Sequence, residues 1–300
     1  MESTNILLAK ALDYTGLFAP AALDMKTAVA NYAKYLAGNS SEILSRFVLP
    51  VFRLREFEEA SAPYLPKGNP VFPWKLSAIP SQNLLSDLEE IVDFNVFHAR
   101  DESAGAVVVD TIELKTDSVE AIQRASYLIP RTLTTYFEIP IIHDPADLLE
   151  AILGFGYRAK ARTGGLKAEE FPEAIHLARF LCHCAKSRIP LKASAALHHA
   201  LTGNYKLTLT PASASAKMYG FLNVMLATVL ARYDADDSEV AKLLEETSPD
   251  AFAFDETGIQ WHRNNFTNHQ INIARTQVAM GFSSSLFEEP MAELKKLKLR

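Results

Sequence analysis

The sequence predicts an α/β fold, a parallel (β/α)8 barrel of the TIM type with an insertion between the seventh and eighth strands. Three observations lead there. Apolar runs of strand length alternate with helix-period segments along the chain, which implies parallel strands joined by helical crossovers. The 300 residues suit one barrel of roughly 250 residues plus an insertion. No GxGxxG follows the first strand, which favours a closed barrel over a doubly wound sheet.

Taken in order, Leu12–Phe18 reads as the first strand and Met25–Ala37 as a helix with Asp24 as its N-cap. Arg46–Phe52 leads into a helix at Leu54–Ala60, and Trp74–Ile79 precedes a helix near Asn83–Ile91. The apolar piece Asp93–Phe97 either begins another strand or caps a turn. Gly105–Leu114 is a valine-rich strand, and the pattern Asp117-Ser-Val-Glu120 starts the helix Ser118–Leu128. Thr134–Ile142 is β-branched and aromatic, and Asp144-Pro145 opens the helix Ala146–Gly154. Two lysine-bearing strands follow, Tyr157–Gly165 and Pro190–Ala196, with the helix Pro172–Ala185 between them.

After Leu201 the rhythm breaks. Gly203–Lys217 reads as a polar loop, Met218–Tyr233 and Ser238–Glu246 as helices, and Phe252–Trp261 as a hairpin turning at Asp255-Glu-Thr-Gly258. Thr267–Gln277 reads as helix, Gly281–Phe287 as the last strand and Pro290–Leu297 as the terminal helix. With no repeat and no flexible linker, one domain over 1–300 is expected, with 203–278 an inserted helical and hairpin subregion placed as a cap or edge structure beside the barrel mouth.

Composition is ordinary for a globular protein, 48% hydrophobic and 22% charged. A formal charge of −6 and the lack of basic clusters interleaved with aromatics argue against a nucleic-acid partner. No apolar run approaches the roughly 20 residues needed to cross a bilayer. The segment Met1–Lys10 lacks the basic start and apolar core of a secretory signal. Cys182 and Cys184 diverge by about 200° on a helix, so they read as free thiols. A cytoplasmic location follows, with no cofactor motif; homo-oligomers are compatible with all of this.

Lysine is rarely placed inside such a core unless its amine acts there. Strand alternation puts Lys160 and Arg162 on one face, Lys192 with Ser194, and Glu138 with Tyr136. Facing inward, Glu138, Lys160, Arg162 and Lys192 converge at the C-terminal mouth, where barrel active sites lie. Lys192 and Arg162 should depress the Lys160 pKa and make it nucleophilic, whereas a Glu138–Lys160 pair would keep the amine charged. Thr163-Gly164-Gly165 offers backbone amides to an anion, and Ser283-Ser284-Ser285 could add hydroxyls and amides before the last helix. His198-His199 point to opposite faces, so at most one enters the site, and no third ligand stands at metal spacing. Trp261-His262-Arg263-Asn264-Asn265 reads as a lid or a dimer contact.

The order of short motifs resembles the deoxyribose-phosphate aldolase family, class I aldolases on a (β/α)8 barrel. Asp13-Tyr-Thr-Gly-Leu17 is similar to that family's first strand, Phe47-Val-Leu-Pro-Val51 to its second, Val107-Val-Val-Asp110 to its fourth and Thr135-Tyr-Phe-Glu138 to its fifth. Lys160-Ala-Arg-Thr-Gly164 fits the Schiff-base strand, and Lys192-Ala-Ser-Ala-Ala196 stands where the family has Lys-Ala-Ser-Gly-Gly. The resemblance implies that Lys160 forms the imine, Lys192 lowers its pKa and Asp110 assists proton transfer. Glu113, on the opposite face of that strand, is the alternative inward carboxylate. The departures are Ala195-Ala196 for Gly-Gly, Arg162 between Lys160 and Thr163, and the insertion.

The first functional reading is therefore an aldolase-like lyase, a Schiff base on Lys160 with a small anionic carbonyl metabolite held by Arg162, Thr163, Gly164, Gly165, Ser194, His198, Ser283 and Ser284. The second keeps an enzyme of phosphoribosyltransferase or decarboxylase type, in which Lys160, Arg162 and Lys192 only bind a phosphorylated or carboxylated metabolite. The third is a non-catalytic binding barrel.

Overall fold

The computed structural model describes residues 1–68, 72–101 and 103–299. Eight parallel strands close into a barrel: β1 (Leu12–Tyr14), β2 (Leu44–Pro50), β3 (Trp74–Ile79), β4 (Val107–Lys115), β5 (Thr134–Glu138), β6 (Arg158–Arg162), β7 (Leu191–Ser194) and, last in the chain, Ala279–Ser284. That last strand closes the ring by pairing with both β1 and β7.

Helices Met25–Ala37, Leu54–Ser61, Leu84–Arg100, Val119–Ser126, Ala146–Gly154 and Ala174–Ser187 follow β1 through β6 in turn. The Asp24 cap anticipated from sequence holds, accepting from Thr27 N at 2.9 Å; the helix after β4 is capped not by the expected Asp117 but one residue beyond it by Ser118, which accepts from Ala121 N at 3.0 Å. Asp93–Phe97 is neither strand nor turn; it lies inside Leu84–Arg100, its apolar residues at helical spacing. The N-terminal helix Glu2–Leu8, not anticipated from the sequence, buries Leu7 and Leu8 completely.

The core lies mainly between barrel and helices, where Leu12, Phe47, Leu76, Val109, Phe137 and Phe282 point outward from their strands. Helix Phe221–Arg232 is buried from Phe221 to Ala231. It is apolar on every side because helices Asp237–Glu245, Asn268–Gln277 and Ala174–Ser187 surround it.

The segment between β7 and the last strand divides in two. Residues expected as a polar loop form a hairpin, β8 (Gly203–Lys206) with β9 (Ser215–Met218), whose Leu207 and Met218 edge the barrel mouth. The anticipated hairpin gains a third strand: β10 (Phe252–Phe254), β11 (Gly258–Trp261) and β12 (Asn264–Thr267). This small sheet does not cap the mouth as expected. It packs against helix Glu2–Leu8, where Ser3 Oγ donates to Asp255 O at 2.6 Å. The polar segment Trp261–Asn265 makes the tight β11–β12 turn, with His262 at φ +49°, and is not a lid. With the other strands now placed, the last barrel strand is β13 (Ala279–Ser284).

Candidate active site

Lys160 and Lys192 are direct neighbours across the β6–β7 ladder, and Glu138 is opposite Lys160 across β5–β6. Both lysines point into the barrel, as strand parity predicts, and they are 8% and 2% exposed. What separates them is Glu113. Its Oε2 lies 2.8 Å from Lys160 Nζ and its Oε1 2.5 Å from Lys192 Nζ. Lys160 also pairs with Glu138 at 2.7 Å, and Lys192 with Asp13 at 2.8 Å. The result is a ladder of alternating charge, Glu138–Lys160–Glu113–Lys192–Asp13. Ser77 Oγ donates to Glu113 at 2.6 Å, and the Tyr136 ring lies 4.7 Å from the Lys192 ammonium.

Burial alone would push Glu113 up, but the Lys160 and Lys192 ammoniums outweigh it and hold the carboxyl well below its usual range. For Lys160, burial and Lys192 pull the amine down, while Glu113 and Glu138 raise it further than that; the pKa ends above that of a free lysine. The expected depression of Lys160 by Lys192 and Arg162 is therefore overturned. The carboxylate placed between the two amines converts like-charge repulsion into two attractions. Lys192 is raised as well, by Asp13 and Glu113 against its burial.

Asp110 is not part of this ladder. A β-bulge in β4 explains why: Leu76 pairs with Val109 but Ser77 pairs with Thr111, so Asp110 is skipped. Below the bulge, Asp110 takes a bidentate pair from Arg46 at 2.6 and 2.9 Å and lies 3.6 Å from Lys75. Above it the parity is inverted, and Glu113 turns inward to the lysines. Glu113, the alternative inward carboxylate, is thus the one beside Lys160.

Over the ladder, at the C-terminal mouth, opens a cavity of about 290 Å³. Lys160 and Glu113 reach its floor, and Arg162, Gly165, Ser194, His198 and Ser283 are on its walls. Lys192 does not line it, and Glu138 faces the adjoining cleft that Arg162 also borders. Arg162 is exposed and makes no ion pair within 4.0 Å among the described residues, with the Glu170 carboxylate interacting with it at longer range. The Ser283 hydroxyl is buried without a hydrogen-bond partner among the described residues.

His198 lines the cavity with its Nδ1 2.8 Å from Ser284 Oγ, and burial lowers its pKa to about 4, so the ring is neutral at pH 7. His199 faces away, stacked on Tyr205 and 2.7 Å from Glu293, as alternation requires.

Three expected binding residues do other work. The Thr163 hydroxyl bonds to Ser194 O at 3.1 Å and Ala195 O at 2.6 Å, tying β6 to β7. Gly164 is a packing glycine: a Cβ there would meet the Phe171 ring at 2.4 Å. Ser284 donates to Leu286 O at 2.7 Å and orients His198 without lining the cavity. The turn after β7, where Ala195 and Ala196 stand in place of Gly-Gly, takes left-handed φ values of 68° and 57° beside the cavity, which the sequence did not reveal. Such strain costs about 1–2 kcal/mol per non-glycine residue and concentrates at functional sites.

Among the described residues no cluster of three or more His, Cys, Asp or Glu is placed to hold a metal ion, and no helix is long and apolar enough to cross a membrane. Compared with family models, curated proteins and solved structures, the chain matches none.

Proposed function

We propose that the protein is an aldolase-type lyase that forms a Schiff base between Lys160 and a small anionic carbonyl metabolite, as the resemblance to deoxyribose-phosphate aldolases implies. One observation carries the reading. A buried lysine ends on the floor of a mouth cavity, with carboxylates on both sides of its amine and a second lysine behind one of them. Binding an anion alone would be served by an exposed cation such as Arg162; acid–base groups around a buried amine suit proton transfer at that nitrogen.

Lys160 first gives one proton to Glu138, and its Nζ lone pair adds to the carbonyl carbon. The carbonyl oxygen takes up that proton from Glu138 and a second one from Nζ and leaves as water, so that the protonated iminium remains. Glu113 removes the proton of the substrate's β-hydroxyl and the Cα–Cβ bond breaks. The bonding pair moves into the iminium to give an enamine, and an aldehyde departs. Protonation of the enamine and addition of water then release the second product and restore the amine.

Arg162 holds the anionic end of the substrate through its planar fork, with Ser194 and Ser283 beside it. The cavity, small beside typical ligand sites of about 300–1,000 Å³, limits the substrate to a few carbons. The free thiols Cys182 and Cys184 suit a reducing compartment, so a cytoplasmic location goes with the proposal.

A second reading, anion binding without an imine, is favoured by the raised pKa of Lys160, which keeps the resting amine charged. Solvent exchange separates the two. An enamine exchanges the α-hydrogens of a small aldehyde or keto acid for deuterium, which proton NMR follows. Exchange in the native protein that disappears in Lys160→Met supports the lyase. Binding of the same compounds without exchange supports the second reading.

A further inference from the structure

The opposite end of the barrel carries an excess of positive charge that the site at the mouth does not use. Below the lysine ladder lies a second cavity of about 130 Å³, lined by Lys10, Asp13, Arg46, Tyr136, Arg158 and Lys192 among others. Arg158 opens β6 and Lys10 precedes β1, so this is the N-terminal end of the strands. Asp13 and Lys192 already belong to the ladder. Among the described residues, Lys10, Arg46, Arg158 and the nearby Lys75 are faced by two carboxylates: Asp110, which Arg46 holds through two hydrogen bonds, and Asp13, which pairs with Lys192 and also accepts from Arg46 N at 3.1 Å.

Among the described residues Arg158 has no carboxylate within 4.0 Å; its guanidinium donates to the Tyr136 hydroxyl at 3.2 Å and lies 5.6 Å from that ring. Lys10 donates to a carbonyl, Ser41 O at 2.9 Å. Five cations (Lys10, Arg46, Lys75, Arg158 and Lys192) against the two carboxylates of Asp13 and Asp110 are unexpected in a chain of net charge −6, and on the end of a barrel that ordinarily serves stability. Cations gathered around a concave, partly dehydrated space without matching carboxylates repel one another unless an anion joins them. Lys10 reports that crowding, its pKa lowered by burial and by Lys75.

We propose that the N-terminal end of the barrel binds a small tetrahedral oxyanion of phosphate size between Arg158, Lys10 and Arg46. The volume admits such an ion and a water or two, at about 30 Å³ per water, and is too small for a sugar phosphate. Arg158 supplies a planar fork with free N–H groups, and Lys10 a point charge opposite. This site is separate from the mouth: the lysine ladder fills the barrel between the two cavities.

The test is titration of the full chain with inorganic phosphate, followed by calorimetry and by the unfolding midpoint. It is run on the native protein, Arg162→Ala, Arg158→Gln and Lys10→Gln. The expected result is a binding event that persists in Arg162→Ala and weakens by at least about tenfold in Arg158→Gln and in Lys10→Gln. Lys10→Gln carries the comparison if Arg158→Gln does not fold. Phosphate affinity unchanged in the folded N-terminal variants would overturn the proposal. So would loss of all binding in Arg162→Ala, or no binding to the native protein at millimolar phosphate. A failure of the carbonyl chemistry at Lys160 leaves each of these outcomes as it stands.

Discussion

Glu113 and Lys160 meet 2.8 Å apart inside the barrel, the carboxylate from β4 and the amine from β6. The contact sets the charge of the amine. With Glu138 on its other side, Lys160 rests as an ammonium, so its activation requires a proton to move onto a neighbouring carboxylate. Glu113 also joins the two lysines into one unit, so each member of the ladder depends on the others.

Glu113→Gln removes the shared charge and leaves two buried ammoniums facing each other. Breaking a buried ion pair in this way costs about 3–5 kcal/mol, measurable by urea denaturation, and the reactivity of Lys160 should shift to lower pH. The folded carboxyl titrates below the unfolded value of 4.5, so as pH falls below that value the unfolded chain takes up the proton first. The Glu113 contribution to stability is therefore full above about pH 4.5 and is lost on acidification. Asp110→Asn should cost about 1–3 kcal/mol through its broken pair with Arg46 and leave the pH dependence of Lys160 reactivity unchanged. Equal effects of the two substitutions on Lys160 would contradict the separation of the two carboxylates.

His198 predicts a second pH effect. Its folded pKa of about 4 lies below the unfolded 6.5, so between those values the unfolded chain binds a proton that the folded chain does not. Stability then rises with pH across that window, by up to about 3 kcal/mol from this group. His198→Gln should flatten the slope between pH 4 and 6.5; an unchanged slope would place the titration elsewhere.

Much of this was legible in the sequence, and the failures share a cause. Period-2 and period-3.6 patterns gave the strands and helices, and parity alone turned both lysines and Glu138 inward. Parity fails at a bulge, because one skipped residue inverts everything beyond it. Counting from Val107 and Val109 turns Asp110 inward and Glu113 outward; the bulge at Asp110 brings both inside, at different heights. Asp13 stood in a recognised motif, but its partner Lys192 is 179 residues away, a separation no local pattern spans. Thr163 and Gly164 have the composition of an anion-binding turn and are consumed by backbone bonding and packing. The hairpin β8–β9 escaped notice because its two-faced alternation is short and polar.

Arg162 is exposed and makes no ion pair within 4.0 Å among the described residues, so Arg162→Ala should change stability by less than about 0.5 kcal/mol. Its effect should fall on substrate: KM for an anionic carbonyl compound rises about tenfold or more, consistent with loss of a charge-assisted contact of about 1.5–3 kcal/mol, while a neutral analogue is unaffected. Steady-state kinetics with both compounds decides this, and equal losses for the two would remove Arg162 from substrate binding.

Ala195→Gly relieves a left-handed residue at φ 68°. Glycine lowers the strain by about 1–2 kcal/mol and returns about 0.4–1 kcal/mol through the greater freedom of the unfolded chain. A net gain of about 0.5–1 kcal/mol in the unfolding free energy is expected. A loss of stability would show that the alanine methyl contributes packing that outweighs the strain.

The central claim is that the Lys160 amine becomes a nucleophile toward a carbonyl carbon, and trapping tests it most directly. The native protein is incubated with small aldehydes and keto acids, phosphorylated and carboxylated, in the presence of borohydride, and the adduct is located by peptide mass spectrometry. The account predicts a reduced, irreversible adduct on Lys160 with at least one of these compounds, absent in Lys160→Met and formed at lower pH in Glu113→Gln. An adduct confined to surface lysines, or none on Lys160 with any compound of the panel, would contradict it.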